Sequence, residues 1–315
     1  MKNMKYMKNH NTPNKMYYMF FSCISCISLL NKSSSPRHNR SGTILVFMLV
    51  VTATLTALAL FAGVAASNRA RLASDSVLRS ALRDEAFDAI AQVAALINAD
   101  TNGVDHLSEP WAQPMRFGRV EVFVTDEKTR LHFPTASPRA LASLLNDDDV
   151  VAALVAWRDS ETNRVWRAEE ELLAFPFPPT AKKNDLRPLL PFLTAHGDVR
   201  VNVNTLPREV FVALAVSAGA SAETAVNFHK RLEEARKRGD FFNALTPDET
   251  ARVLSDGHSA PTTAELAILR ALIPALCVES GLFRITARAS DGAVSQSIQC
   301  VYERGTSRIS RWVEL

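Results

Sequence analysis

The sequence predicts an α+β protein: a long N-terminal helix packed on a small antiparallel sheet, with a large all-α domain inserted between the early and late strands. Three observations carry that expectation. Thr43–Ala66 is a run of 24 residues without a charge, and the chain beyond it keeps apolar residues three and four apart. Period-two alternation, the mark of a half-buried strand, occurs at 118–124 and returns after Gly281. Between these segments, helix start signals follow one another from Ser137 to about Ser280. The 315 residues suit one large domain or two modest ones. With 47% hydrophobic and 22% charged residues, the chain builds a core and is not disordered as a whole.

The first helix reads as a membrane span. No charged residue lies between Arg40 and Arg69. At 1.5 Å per residue, 24 residues make roughly 36 Å of helix. The hydrocarbon core of a bilayer is about 30 Å, so one tilted span fits. Residues 1–42 hold seven cations (Lys2, Lys5, Lys8, Lys15, Lys32, Arg37 and Arg40) and no acid. Removing those seven from the net +3 leaves residues 43–315 at about −4, which argues against a general nucleic-acid binder. Arg37 and Arg40 predict a cytoplasmic N-terminal side and an external C-terminal bulk. A second apolar run, Met16–Asn31, is short for a span. It reads as a signal-peptide core, a short anchor, or sequence upstream of a start at Met16. Its Cys23 and Cys26 fall inside that run and read as coincidence rather than a metal or redox pair.

Beyond the span, Leu78, Leu82, Ala86, Ile90, Val93 and Ile97 share one helical face. One helix is therefore expected from about Thr43 to Asn98, stopped by the segment 99–103 with its Gly103. Gly118–Val124 is the first strand, with Arg130–Phe133 as its expected hairpin partner and Pro134 as its end. Ser137 and Pro138 read as N-cap and first helical residue. Asp147, Asp148 and Asp149 suit a helix start, where each carboxylate gains roughly 0.3–1 kcal/mol from the helix dipole. The Pro-rich stretch from Phe175 to Pro191 is a long loop. Ser221 caps a helix running through Arg238 and ended by Gly239. Thr246–Glu249 and Thr262–Glu265 are capping boxes. Phe283–Ala289 and Val294–Tyr302 are strands joined at Asp291-Gly292, and Ser307–Val313 adds an edge.

Nothing in the chain points to catalysis, and an enzyme is not expected. P-loop, dinucleotide fingerprint, HExxH and GxSxG patterns are all missing from the sequence. The seven histidines share no ligand spacing and read mostly as surface residues. Cys277 and Cys300 lie outside the membrane in this topology, where an oxidising compartment permits a disulfide between them. Alternatively, Cys300 shares the face of Ile298 and is simply core. A rival reading is an extracytoplasmic, membrane-anchored DNA receptor of helix-hairpin-helix type. It draws on Asn202–Pro207, Lys230-Arg231, Arg236–Arg238 and Phe241-Phe242. Against it, the turn Ser217–Ala220 has a single glycine for cradling phosphate, and Glu233 and Glu234 dilute the basic face.

The junction before the span is the most specific signal. A secretory signal carries its small-residue cleavage site after the apolar core. Here Arg40-Ser41-Gly42 stands before it. Cleavage after Gly42 would leave the apolar helix as the new N-terminus, beginning at Thr43. That arrangement resembles the type IV prepilin class, the pilins and type II secretion pseudopilins. The class usually has Phe first and Glu fifth; this chain has Thr43 and Phe47. The usual Glu pairs with a neighbour's terminal amine, a strong interaction in lipid because the dielectric is low. A subunit without it lacks that docking contact and suits the very end of a filament.

Further landmarks sharpen the resemblance: Asp126 ending a strand before a second short one, Ala156-Trp157-Arg158-Asp159, Val201–Pro207, and Phe241-Phe242 with Leu245. Over roughly 40–315 the chain resembles the type II secretion protein K family. The residues themselves give Asn202 and Asn204 a structural role in a turn, with Thr205 and Pro207 starting the next helix. The resemblance implies a pilin-like fold divided as follows: a leader over 1–42, the transmembrane half of the helix over 43–66, and its periplasmic half over 67–99. A sheet over 110–135 and 281–315 and an inserted helical domain over 136–280 complete it. It implies a methylated minor pseudopilin, single-pass in the inner membrane with a periplasmic head, that nucleates and caps a pseudopilus. Implied partners are I- and J-type minor pseudopilins, the prepilin peptidase and the inner-membrane assembly platform; nucleic acid is not among them. Members of the family can hold calcium in the head, and the acids on which it would fall are Asp159, Glu161, Glu169 and Glu170.

Overall fold

A computed structural model describes residues 40–160, 165–181, 185–255 and 260–315. The apolar run at 16–31, with Cys23 and Cys26, and Glu161 lie outside these residues, as does all but the end of the expected leader. Helix α1 (Arg40–Ala99) is continuous over 60 residues. The chain divides into two units at Ala70 and Arg71. The first, as far as it is described, is the apolar part of α1. There the hydroxyls of Thr52, Thr54 and Thr56 donate to helix carbonyls three or four residues back, at 2.7–3.0 Å, so these polar groups need no outside partner.

The second unit begins with the amphipathic part of α1, whose Leu82, Ala86, Ala89, Ile90, Val93 and Ile97 are buried. The helix ends where Asp100 and Asn102 side chains accept from the N–H groups of Asn102 and Val104, and Gly103 takes φ +70°. Strands β1 (Met115–Phe117) and β2 (Val120–Asp126) follow as a hairpin turned at Gly118, φ +58°. Strand β3 (Leu131–His132) does not pair with β2, contrary to the sequence expectation; it pairs in parallel with β4 (Leu193–Thr194). The reason is occupancy. One edge of β2 is taken by β1, which the sequence reading missed, and the other along its whole length by the later strand β7 (Leu282–Asp291). Asp126 then accepts from Lys128 N and turns the chain out of the sheet through a 3-10 turn.

The insert carries α2 (Pro138–Leu145), α3 (Asp148–Ser160), β4, β5 (Val201–Asn202), α4 (Arg208–Ser217), α5 (Ala222–Lys237), α6 (Pro247–Leu254), α7 (Thr263–Leu272) and β6 (Leu276–Cys277). Their start signals act as read. Ser137, Ser221, Thr246 and Thr262 accept from backbone N–H groups, and Asp147 Oδ1 accepts from Val150 N at 3.3 Å. The box at Thr262–Glu265 closes. At Thr246 only half forms, because the Glu249 carboxylate is drawn to Asn243 and Arg252. His229 also departs from a surface position; it is buried against Phe211.

The chain returns to the sheet through β7 (Leu282–Asp291), β8 (Val294–Glu303) and β9 (Arg308–Glu314), giving the antiparallel order β1-β2-β7-β8-β9. Alternation places Val120, Val122, Phe283, Ile285, Ala287, Ile298 and Cys300 in one core with α1. A second core lies within the insert, from Leu131 to Leu276. Burying each large apolar side chain is worth roughly 1.5–3 kcal/mol, so both cores are substantial.

Candidate functional site: the apolar helix and the joint of the head

The candidate site has two parts, described separately. The first is the apolar half of α1. Ile44, Leu45, Val46, Phe47, Met48 and Leu49 are all more than half exposed, Phe47 at 67%. Among the described residues α1 is the one helix long and apolar enough to cross a membrane, with mean hydropathy 2.6 and no burial in that window. Gly42 and Thr43 lie in its first turns, and Phe47 one turn further on. An apolar surface of this extent needs cover from lipid or from other helices.

The second part is a joint of buried polar groups where the insert meets the sheet. The insert leaves at Asp126 and returns at Ser280, and both are buried. Asp126 Oδ2 accepts from Thr205 Oγ1 at 2.6 Å, from Asn202 Nδ2 at 3.0 Å and from Ser280 Oγ. Asn202 Nδ2 also reaches the carbonyl of Asp105 and Ser280 Oγ, each at 3.0 Å. Asp105, in the loop after α1, accepts from Ser280 N and from Arg304, each at 2.5 Å. Asn204 faces the other way and exchanges two hydrogen bonds with the backbone of Phe242, at 3.0 and 2.8 Å. The two Asn thus serve turn and joint, in line with the structural reading. Thr205 does not help start α4, whose N-cap Pro207 has no side-chain bond; its hydroxyl is taken by Asp126. Burial pushes the Asp126 carboxyl above its ordinary range against the pull of these donors, and pushes Asp105 up to about 6.

Beside the joint lies a buried ionic cluster that sequence reading missed. Arg284 on β7 donates to Glu127 through Nε at 2.9 Å and Nη2 at 2.7 Å, and its Nη1 lies 2.5 Å from Glu169. Arg311 on β9 donates to Glu169 at 3.0 Å and to Glu170 at 2.6 Å. Thr194 Oγ1 adds a bond to Glu127 at 2.6 Å. Burial alone would raise Glu127, but Arg284 and Arg130 outweigh it and hold the carboxyl at about 2. Arg284 stands at an outward position of β7 in the same alternation as Thr286 and Arg288, so nothing in the sequence alone marks it as buried.

The acids expected for calcium are therefore distributed as follows. Glu169 and Glu170 come together on Arg311. Asp159 sits at the end of α3, exposed and paired with Arg158 at 2.8 Å. Calcium takes six to eight oxygens. Carboxylates already facing guanidinium groups do not suit it, and the described residues of this set do not fit a calcium site. A further trio, Asp100, Asp105 and Glu109, brings carboxylate oxygens within 4.8 Å of one another. Arg304, Asn102 and the Trp111 indole engage it, and it shapes the loop after α1. Cys277 and Cys300 are both free, so the disulfide that the topology permits is not formed. They stand in different sheets: Cys277 on β6 beside β5, and Cys300 buried on the α1 side of β8 opposite Ile285.

Of the five basic residues of the DNA-receptor reading, Arg231 and Arg236 point inward, while Lys230, Lys237 and Arg238 are exposed. Arg236 donates to the carbonyls of Leu206 and Val203 at 3.0 and 2.7 Å, and Arg231 to Glu265 and the Leu254 carbonyl at 2.7 Å. In the turn between α4 and α5, the N–H groups of Ala218, Gly219 and Ala220 all donate to carbonyls of α4. A phosphate cradle needs those groups free.

No protein-family model matches the sequence, and no curated protein matches it. Among solved structures, one match is a chain of the GspK–GspI–GspJ complex from the type 2 secretion system of enterotoxigenic Escherichia coli. It is 14% identical, covers 78% of this chain and 97% of that one, and has a TM-score of 0.45.

Proposed function

We propose that this chain is a minor pseudopilin of the protein K type, inserted in the inner membrane with its head in the periplasm and cleaved after Gly42. One observation carries the reading. A single unbroken helix is charge-free and exposed over Thr43–Ala66, then buries an apolar stripe on an antiparallel sheet from Leu82 to Ile97. That division of labour suits a subunit that lies in lipid until neighbouring helices replace the lipid around it. Arg40-Ser41-Gly42 ahead of the span supports cleavage on the cytoplasmic side, and Phe47 in place of an acid supports a position at the filament end. The insert, folded over the outer face of the sheet, would block addition beyond the tip. The proposed partners are I- and J-type minor pseudopilins, with the prepilin peptidase and the inner-membrane platform acting during assembly.

Intact-mass measurement of the chain made with and without a prepilin peptidase tests this. A mature form beginning at Thr43 only when the peptidase is present is expected. An uncut anchor, or a cut after Ala66, overturns the reading. Co-isolation with I- and J-type subunits is the second expected result.

A further inference from the structure

The span ends in Ser67-Asn68-Arg69-Ala70-Arg71. Both arginines are exposed on α1, and among the described residues neither has a hydrogen-bond or ion-pair partner. In the head, by contrast, Arg119, Arg231, Arg236, Arg284, Arg304 and Arg311 are all engaged by carboxylates or carbonyls. The next acid along the helix is Asp75, six residues beyond Arg69 and four beyond Arg71, and it forms no ion pair with either. At 1.5 Å per residue, Arg69 lies about 4.5 Å and Arg71 about 7.5 Å beyond Ala66 along the helix axis. A bilayer of about 40–45 Å around a 30 Å hydrocarbon core leaves a headgroup layer roughly 5–7 Å deep on each side. Arg69 thus lies within the headgroup layer and Arg71 at its outer edge, from which its long side chain reaches back into the layer. At 100° per residue the two arginines lie about 200° apart, on opposite faces of the helix.

We infer that Arg69 and Arg71 form a collar that binds the phosphates of anionic phospholipids in the leaflet on the head's side of the membrane. The inference rests on the membrane-spanning reading of Thr43–Ala66. The planar guanidinium pairs with phosphate oxygens through two parallel N–H donors, and a collar with cations on both faces meets headgroups whichever way the helix is rotated. The long side chains adjust their reach along the apolar surface while keeping their heads in the polar layer. The collar sets how deeply the span sits and holds the subunit more firmly where the lipid is anionic.

The test uses the full chain in vesicles of phosphatidylcholine containing phosphatidylglycerol. Co-flotation reports insertion, and spin-labelled lipids report which headgroup the protein prefers. The wild type should prefer phosphatidylglycerol, with a preference that weakens as salt is added. Arg69→Gln/Arg71→Gln should lower it by about fivefold per arginine and still float. Arg139→Gln/Arg270→Gln, which removes two exposed head arginines, should leave it unchanged. An unchanged preference in the first variant, or an equal fall in the second, overturns the collar while leaving the span intact. A wild-type chain that does not float overturns both.

Discussion

Replacing Arg284 by Met tests whether the head depends on the ionic cluster between insert and sheet. Met is close to the arginine stem in length and removes only the charge and its donors. Arg284 is 5% exposed, and its partners Glu127 and Glu169 are 1% and 4% exposed, so solvent does little to relieve what is left behind. The substitution strands Glu127 with Arg130 at 3.9 Å and Thr194, and Glu169 with Arg311 at 3.0 Å and Arg130 at 3.5 Å. Removing one partner of a buried pair costs about 3–5 kcal/mol, since an uncompensated charge stays buried. For a domain of this size each kcal/mol moves Tm by about 2–4 °C, so a fall of roughly 6–20 °C is expected. Near-UV circular dichroism of the full chain in detergent reads it.

The pH dependence gives a second, independent check. In the wild type Glu127 is held at about 2, below its ordinary 4.5. A depressed folded pKa stabilises above the unfolded value and is lost as pH falls from about 4.5 toward 2. Between pH 7 and 5 this group contributes a constant amount. In Arg284→Met the buried carboxyls lose their main cation and their pKa rises. A raised folded pKa favours folding at low pH, so the variant's deficit should shrink between pH 7 and 5. A deficit under about 1 kcal/mol at pH 7, or one that grows on acidification, refutes the reasoning.

Four other outcomes follow from the same structure. Asp126→Ala leaves the Thr205 and Ser280 hydroxyls without their acceptor, and at about 1–3 kcal/mol for each unsatisfied buried group it should cost roughly 2–6 kcal/mol in thermal unfolding. Asp105, raised to about 6 from 3.8, favours the folded state as pH falls below that value; relative to Asp105→Asn, the wild type should gain about 1 kcal/mol between pH 7.5 and 5. Burial pushes the Cys277 and Cys300 thiols up to about 11 and 12, so alkylation of the folded chain should be slow at these two sites, and reductant should leave Tm unchanged. Phe47→Glu places an acid on the exposed apolar helix; it should restore the docking contact of an ordinary subunit and yield longer co-assembled filaments by electron microscopy, and unaltered assembly would count against the tip position.

How far the sequence could be read depended on the range of each signal. Helix α1 was legible because its cause is local: a charge-free run, then Leu82, Ala86, Ile90, Val93 and Ile97 on one face. The caps at Ser137, Ser221 and Thr262 were legible for the same reason. The pairing of β3 was not, because a strand of two residues has no period to read and its partner depends on which edges of β2 are free. The site shows the same limit more sharply. Alternation along β7 assigns Phe283, Ile285 and Ala287 to the α1 side and Arg284 to the other. It identifies the face and is silent about what covers that face. At its Arg288 end the outer face stays open, with Arg288 lying over the half-exposed ring of Phe123. At its Arg284 end the insert closes over it and brings in Glu169. An arginine that reads as a solvated strand residue becomes the buried centre of a cluster only because a segment more than a hundred positions earlier folds across it. The apolar half of α1 escapes this limit, since its exposed apolar surface follows from its own residues.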